Sequence, residues 1–283
     1  MRRPLLLANA LLLFATTASA HEYWLLPERF SAAPGEPIAI AHRVGTGWPG
    51  ETLARDPARI VRFGLVDARG ERTIEGETGA DPAGTIALRR PGVALAVYRS
   101  RPSSVRLEPA LFESYLRDEG LDGIVAYRAA HGETGEPGLE IFSRNAKALL
   151  SGSGAAPAGD AQVWRRPVGL ALELVPESDP RRPSREGPFT VRLLFRGKPL
   201  AGALVKAFPK DGNERRLSAR TDAQGRARFA LAEPGVWLVN AVHMIDAPAA
   251  SGARWESLWS SLTFETRAAS TGAVAATTMP KER

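Results

Sequence analysis

The sequence predicts a mainly β protein made of two β-sandwich-like domains, the first with a helical insert and the second immunoglobulin-like. Over most of the chain, short stretches of alternating apolar and polar residues are separated by turns rich in glycine and proline. Helical periodicity is concentrated in residues 108–150. The small residues at 151–159 are typical of a linker, so the predicted domains are 21–160 and 161–267.

The first twenty residues have the features of a signal peptide. Arginines at positions 2 and 3 precede an apolar run at 5–14, and small residues at 18–20 suit a cleavage site. We therefore expect residues 1–20 to be removed and the protein to be periplasmic or secreted. No later run approaches 18 apolar residues, so no transmembrane segment is expected in the mature chain.

The first domain is predicted to consist of short antiparallel strands. Alternation in the stretch 38–44 places His42 on the same face as Ile38 and Ile40, which is the apolar face. Both a buried histidine without a ligand role and a functional histidine fit this position. The predicted strands cover 38–44, 59–66, 85–88 and 92–98.

The helical insert is predicted over about 108–150. Apolar residues recur at helical spacing from Leu111 to Leu116, and Glu113 and Arg117 stand four residues apart in the favourable order. Gly120 is placed to end this helix. Two further helices are predicted at 122–130 and 139–150. The insert is either a lid over a site or a cap on an open end of the sheet.

The second domain has the closely spaced strands and turns of an immunoglobulin-like sandwich. In the turn Thr221-Asp222-Ala223-Gln224-Gly225, Gly225 is expected in a left-handed conformation. Residues 268–283 are small and polar without periodicity and are predicted to be a disordered tail. The predicted strands cover 168–175, 189–195, 203–208, 227–231, 236–242 and 262–264.

Composition excludes several classes of function. The chain has no cysteine, which excludes disulfides, thiolate catalysis and thiolate metal sites. Its 37 basic and 31 acidic side chains give +6, and loss of Arg2 and Arg3 leaves 35 against 31, or +4. This excess is mild and scattered, whereas nucleic-acid binding requires a basic patch or stripe. We therefore expect no nucleic-acid partner.

Histidine placement predicts a metal site. After cleavage His21 is the first residue, so its α-amino group and imidazole could chelate one ion. His243 ends the strong strand at 237–244, on a face shared with Trp237, Val239 and Ala241. His42 and the carboxylate of Glu113 are further candidate ligands, and Glu22 and Glu256 are acidic residues that could assist. His131 follows a polar helix and is typical of a solvated residue.

Seven segments of the chain carry a family resemblance. They are HEYWLLP (21–27), LFESYLRDEGL (111–121), EIFSRNAKALL (140–150), GKPLAGALVKAF (197–208), RTDAQGRARF (220–229), GVWLVNAVHM (235–244) and WESLWSSLTFE (255–265). In these segments the chain resembles the periplasmic proteins grouped as the DUF4198 family, described in name as nickel or cobalt uptake components. The resemblance implies a periplasmic, two-part β-rich protein associated with transition metals. Some relatives with that name carry a transmembrane portion, which is not expected here.

Three functions are compatible with these features. The first is a protein that binds nickel, cobalt or copper through His21 and His243 and delivers it to a membrane metal transporter. The second is a copper-dependent oxidative enzyme with an amino-terminal histidine site, and the third is a non-catalytic module that binds a protein or glycan. Trp24, Tyr115, Arg144 and Lys147 are candidate pocket-lining residues, the last three because of the family resemblance and the helical insert.

Overall fold

The computed structural model describes residues 22–182, 187–211, 216–231 and 234–266. The predicted signal peptide, His21 and the predicted tail at 268–283 therefore lie outside the described residues. None of the helices in these ranges has the length and apolar composition needed to span a bilayer. The strands are β1 (Glu22–Pro27), β2 (Ser31–Ala32), β3 (Pro37–Gly45), β4 (Glu51–Leu53), β5 (Ile60–Asp67), β6 (Gly70–Thr73), β7 (Gly84–Ala87), β8 (Gly92–Ser100), β9 (Ser103–Leu107), β10 (Gly138–Gly152), β11 (Leu172–Pro176), β12 (Phe189–Phe195), β13 (Lys198–Pro199), β14 (Leu204–Pro209), β15 (Leu217–Arg220), β16 (Arg226–Phe229), β17 (Gly235–Asp246) and β18 (Trp255–Thr266).

A ten-stranded sheet forms the centre of the molecule. Its strands follow the order β15-β14-β17-β18-β10-β8-β5-β6, and β2 and β9 pair with β10 outside this path. Most neighbours are antiparallel, but β10 pairs in parallel with β18 from Glu140–Trp255 to Ala148–Thr263. Two smaller sheets complete the fold: β1, β3, β4 and β7 form one, and β11, β12, β13 and β16 form the other.

The two faces of the central sheet are covered by different layers. On one face, Val239 and Leu262 pack against Leu174 and Leu193 of the β11–β12 sheet. On the other face, the alanines of β10 pack against Ile38 and Ile40 of the β1–β3 sheet. Side chains at successive strand positions point to opposite faces, so one central sheet takes part in two sheet-on-sheet packings. The mainly β class with two sandwich-like packings is confirmed.

Two helices cover the rest of the second face. They are α1 (Pro109–Asp118) and α2 (Asp122–Ala130), and they pack on Val242, Met244, Trp255 and Trp259 of the central sheet. The helix α1 ends as predicted: Gly120 has φ +64°, and Leu121 N donates to Leu116 O at 2.8 Å. An added Cβ at Gly120 would lie 2.8 Å from Leu204 Cβ, so glycine is also needed for the close approach of the helix end to the sheet.

The prediction of a third helix at 139–150 is wrong, because these residues belong to the strand β10. This strand is central in the sheet, and both its faces are covered between Asn145 and Ser151. Its apolar residues therefore show no alternation with polar ones. The helical insert is limited to 109–130. The predicted boundary near residue 160 is not a boundary between sheets, since β8 and β10 before it and β17 and β18 after it share one sheet.

The predicted turn at Asp222 is confirmed. Gly225 has φ +74°, and its N–H donates to Asp222 O at 2.8 Å. The Asp222 carboxylate accepts from the backbone N–H groups of Gln224 and Arg226, each at 2.9 Å. A side chain at Gly225 would approach Leu193 O within 2.8 Å, so this turn positions β16 directly against β12.

A buried ion pair joins the central sheet to the β11–β12 layer. Lys147 Nζ lies 2.8 Å from Glu173 Oε1, and the side chains are 1% and 2% exposed. The Glu173 carboxylate also accepts hydrogen bonds from the N–H groups of Val168, Gly169 and Leu170. Because the carboxylate organises three backbone donors, the lysine compensates a charge that the fold requires.

We expect Lys147→Met to destabilise the protein by about 3–5 kcal/mol, because it leaves the Glu173 charge buried without its counter-ion. Urea unfolding at neutral pH measures this change. Lys198→Met is the matched control, since Lys198 is exposed on β13, and it should change stability by no more than about 0.5 kcal/mol. A Lys147→Met protein with the stability of the control would show that the pair is not needed.

Candidate functional site

An open pocket, the amino-terminal pocket, lies between the start of β1, the helix α1 and the β14–β15 edge of the central sheet. Its volume is about 490 Å³, which is in the range of small-molecule sites. The wall on one side comes from α1, and β1, β14 and β15 supply the others. The lining residues are Glu22, Thr46, Leu107, Leu111, Ser114, Tyr115, Asp118, Glu119, Leu204, Lys206, Arg216 and Ser218.

Three charged groups meet on the wall of this pocket. Lys206 Nζ lies 3.1 Å from Glu22 Oε1 and 2.7 Å from Glu119 Oε1. All three residues are buried, although they belong to β14, β1 and the end of α1. Burial raises the pKa of Glu119, and the Lys206 ammonium opposes this shift. One ammonium thus holds two carboxylates together beside an opening to solvent.

Lys206 belongs to a row of polar side chains on the central sheet. Lys206 pairs in register with Asn240, and Asn240 pairs with Ser261, so the three side chains point to the same face. Asn240 Oδ1 and Ser261 Oγ are buried and have no hydrogen-bond partner among the described residues. Buried polar atoms are usually paired, so these two atoms are exceptions among the described residues.

A buried carboxyl group stands behind Tyr115 on the helical side of the pocket. Glu140 Oε1 accepts a hydrogen bond from Ser257 Oγ and lies 3.5 Å from Tyr115 Oη, whereas Glu140 Oε2 has no partner among the described residues. The Tyr115 ring stacks on Trp259 with a centroid distance of 5.7 Å. Burial raises the pKa of Glu140 to about 7, against the lowering effect of both hydroxyls.

His243 points away from the pocket. It lies on the face of β17 that carries Val239 and Ala241, as its alternation predicted, and its ring contacts Phe195 at 4.7 Å between centroids. Lys206 pairs in register with Asn240, whose side chain lies on the other face of β17 from that of His243. The Lys206 side chain is therefore on the opposite face of the sheet from His243. Burial and the nearby Arg196 lower the pKa of His243, which favours the neutral imidazole.

His42 lies in an aromatic cluster beneath the β1–β3 sheet. It is 2% exposed, and its ring centroid is 4.8 Å from that of Tyr98 and 5.0 Å from that of Phe63. Burial lowers the pKa of His42 to about 3, with a further contribution from Arg55 and Arg144. The predicted position on the apolar face is confirmed, and the imidazole is neutral at physiological pH.

Glu113 joins the two helices rather than facing a pocket. Its carboxylate lies 2.8 Å from Arg128 Nε and 3.2 Å from Arg117 Nη2. Arg128 also donates to the carbonyl oxygens of Glu133 and Glu136. The structure therefore does not bring Glu113, His42 and His243 together as one set of ligands. Within the described ranges, no group of three histidine or acidic residues is arranged to hold a metal ion.

Of the four predicted pocket-lining residues, Tyr115 lines the pocket described here. Trp24 is fully buried and packs against Phe208 and Leu238. Lys147 pairs with Glu173 on the opposite face of the sheet. Arg144 lies over the ring of Tyr23, in the region of the His42 cluster. These three residues support the layers around the pocket without lining it.

Sequence reasoning missed Lys206 and Glu119. One signal was available: Lys206 lies between Leu204 and Phe208 on the same face of a predicted strand, and a lysine at an otherwise apolar position requires a carboxylate partner. The partners Glu22 and Glu119 are 184 and 87 residues away in the sequence. The position was therefore predictable, but the partners were not.

The pKa of Glu140 predicts how stability depends on pH. Below pH 4.5 the carboxyl is protonated in both the folded and the unfolded chain. Between pH 4.5 and about 7 the folded protein keeps the proton and the unfolded chain loses it, so stability falls as pH rises, by about 3 kcal/mol in total. Glu140→Gln should remove this loss and be more stable than the wild type at pH 8 by that amount.

Urea unfolding at pH 4.5, 6 and 8 measures this effect. Glu77→Gln, at an exposed loop position, is the control and should follow the wild type at each pH. If Glu140→Gln and the wild type lose stability in parallel between pH 4.5 and 8, the buried carboxyl is not responsible for the dependence.

Comparisons with known proteins identify the family of the chain. No curated protein matches it. Among solved structures, the D0-D1 domain of Intimin is similar at 14% identity and a TM-score of 0.21, over 86% of this chain and 97% of that one. A tetra-tandem repeat from the extending region of a large adhesion protein is similar at 10% identity and a TM-score of 0.23, over 88% of this chain and 50% of that one, so this chain spans about half its length. Both TM-scores are low, and neither likeness bears on function.

The family model described as a domain of unknown function, DUF4198, matches residues 18–245, and the chain belongs to that family.

Proposed function

We propose that this chain is an exported protein that binds a divalent transition-metal ion, nickel, cobalt or copper, at the mouth of the amino-terminal pocket. The observation that carries the proposal is the position of Glu22 and Glu119, whose carboxylates share Lys206 beside an opening to solvent. His21 is bonded directly to Glu22 in the sequence. Cleavage after residue 20 would therefore create an amine and an imidazole next to two carboxylates.

The donor set fits the proposed ions. Amine and imidazole nitrogens with carboxylate oxygens suit Ni(II), Co(II), Cu(II) and Zn(II), and the chain contains no thiolate that would favour a softer metal. Lys206 binds Oε1 of each carboxylate, so Oε2 of Glu22 and of Glu119 remains for a ligand. The three acidic and two basic residues that line the pocket leave one negative charge, which favours a cation.

We base the cellular role on the proposed export of the protein and on the proposed ion site at its first mature residue. An ion held by the first residue of the mature chain is accessible and can be transferred to another protein. We assign the protein to metal uptake, with a membrane metal transporter as the partner that receives the ion. Residues 1–20 direct export to the periplasm in this scheme, and their removal is required before the site can form.

Titration of the untagged protein that begins at His21 tests the proposal. We expect native mass spectrometry to detect one tightly held ion among Ni(II), Co(II), Cu(II) and Zn(II), and calorimetry to give its affinity. His21→Ala, Glu22→Gln and Glu119→Gln should each weaken binding at least tenfold, or about 1.4 kcal/mol, because each removes one proposed ligand. A protein extended at its amino terminus should also bind worse, since it lacks the free amine.

Two histidine variants make the test specific. His131→Ala is the matched control, because His131 is exposed at the end of α2 and stacks on Tyr127 outside the pocket. His243→Ala separates this site from one shared with His243: unchanged affinity is expected for the pocket site. Equal affinity in the wild type, His21→Ala and Glu22→Gln would refute the proposal.

A further inference from the structure

A second polar site lies on the other side of β1, around the guanidinium of Arg144. The group lies over the ring of Tyr23, with Cζ 4.9 Å from the ring centroid, and over Phe142 at 5.4 Å. Within the described part of the chain, Arg144 has no ion pair and its side chain donates no hydrogen bond to a protein group. A partly buried charge often has a counter-ion, so this arginine requires explanation.

Two polar atoms near Arg144 also lack a hydrogen-bond partner among the described residues. Tyr23 Oη and His42 Nε2 are buried without a hydrogen bond among the described residues, and both side chains are at most 3% exposed. The rings of Tyr23 and Tyr98 are 5.0 Å apart, and that of His42 is 4.8 Å from Tyr98. Burial raises the pKa of Tyr23, and the nearby Tyr98 hydroxyl adds to this shift.

The charges around this cluster are mainly positive. Arg43, Arg55 and Arg144 all act on His42, against the single carboxylate of Asp81. That carboxylate is 3.1 Å from Arg43 Nη1 and is thus already paired. Arg55 donates to the carbonyl oxygens of Ile74 and Ala83 rather than to an acid. The site therefore has an excess of two positive charges and several unused donors, which is the environment of an anion.

We propose that Arg144, with the hydroxyls of Tyr23 and Tyr98, binds a small carboxylate. A guanidinium presents two parallel N–H groups that match the two oxygens of a carboxylate. The guanidinium carbon lies over the rings of Tyr23 and Phe142, and among the described residues no protein group accepts from its N–H donors. Arg144 is partly exposed, which gives the ligand access from solvent.

This site is independent of the metal proposal, because none of its residues lines the amino-terminal pocket. The adjacent residues Glu22 and Tyr23 point to opposite sides of β1 and so contribute to different sites. His42 stays neutral near pH 7 and adds no charge that would alter the preference for a carboxylate. Loss of metal binding and loss of carboxylate binding can therefore be observed separately.

Calorimetric titration of the full mature chain with sodium acetate tests this inference, with sodium chloride as the salt control and inorganic phosphate as a second anion. We expect acetate to bind and chloride at the same ionic strength to give no binding heat. Arg144→Met should weaken acetate binding at least tenfold, and Arg144→Lys should bind more weakly than the wild type because an ammonium lacks the paired donors. Arg106→Met, which changes an exposed arginine on β9, should bind as the wild type does.

Tyr23→Phe keeps the test valid if Arg144→Met fails to fold, since it removes only the hydroxyl. It should weaken acetate binding by threefold or more and retain the melting temperature of the wild type within a few degrees. Acetate binding that is unchanged in both Arg144→Met and Tyr23→Phe would overturn the site. Binding of phosphate without acetate would overturn the assignment to a carboxylate, and no binding of either anion would overturn the proposal as a whole.

Discussion

The parallel pairing of β10 with β18 is the constraint on which the rest of the structure depends. It joins a strand from the middle of the chain to the last described strand, over nine residue pairs from Glu140–Trp255 to Ala148–Thr263. Through it the β5–β8 and β14–β17 parts become one sheet. Parallel neighbours must be joined by long connections, and here the connection is the whole β11–β17 segment. Both sandwich-like packings therefore depend on a pairing that no local turn specifies.

Burial of β10 on both faces explains its composition and its ion pair. Its even-numbered residues Ala146 and Ala148 contact the β1–β3 layer, while Lys147 and Leu149 face the β11–β12 layer. The small alanines permit close approach of the β1–β3 sheet. On the opposite face, the long side chain of Lys147 reaches Glu173 of the β11–β12 layer. Because Glu173 accepts three backbone N–H groups before β11, Lys147 also fixes where that layer begins. The pair thus specifies the register between layers at a cost in desolvation.

The sequence predicted strands with a clear alternation better than the strand that lacks one. The strand β3, in which Ala39 and Arg43 are partly exposed, shows the alternation that identifies it, and Gly120 and Gly225 end their elements as expected. The strand β10 was assigned to a helix, since a strand covered on both faces has no alternation and its length suits either element. In the same way the buried Lys206 could be recognised on its strand, but Glu22 and Glu119 become its neighbours only through long-range pairing.

The strand β1 separates two sites of opposite charge. Glu22 faces a pocket whose lining residues leave one negative charge, whereas Tyr23 faces a cluster in which three arginines exceed one aspartate by two positive charges. The two side chains are adjacent in the sequence, and the alternation of a strand directs them to opposite sides. The local charges therefore favour a cation on one side of β1 and an anion on the other, and the two proposed sites have no residue in common.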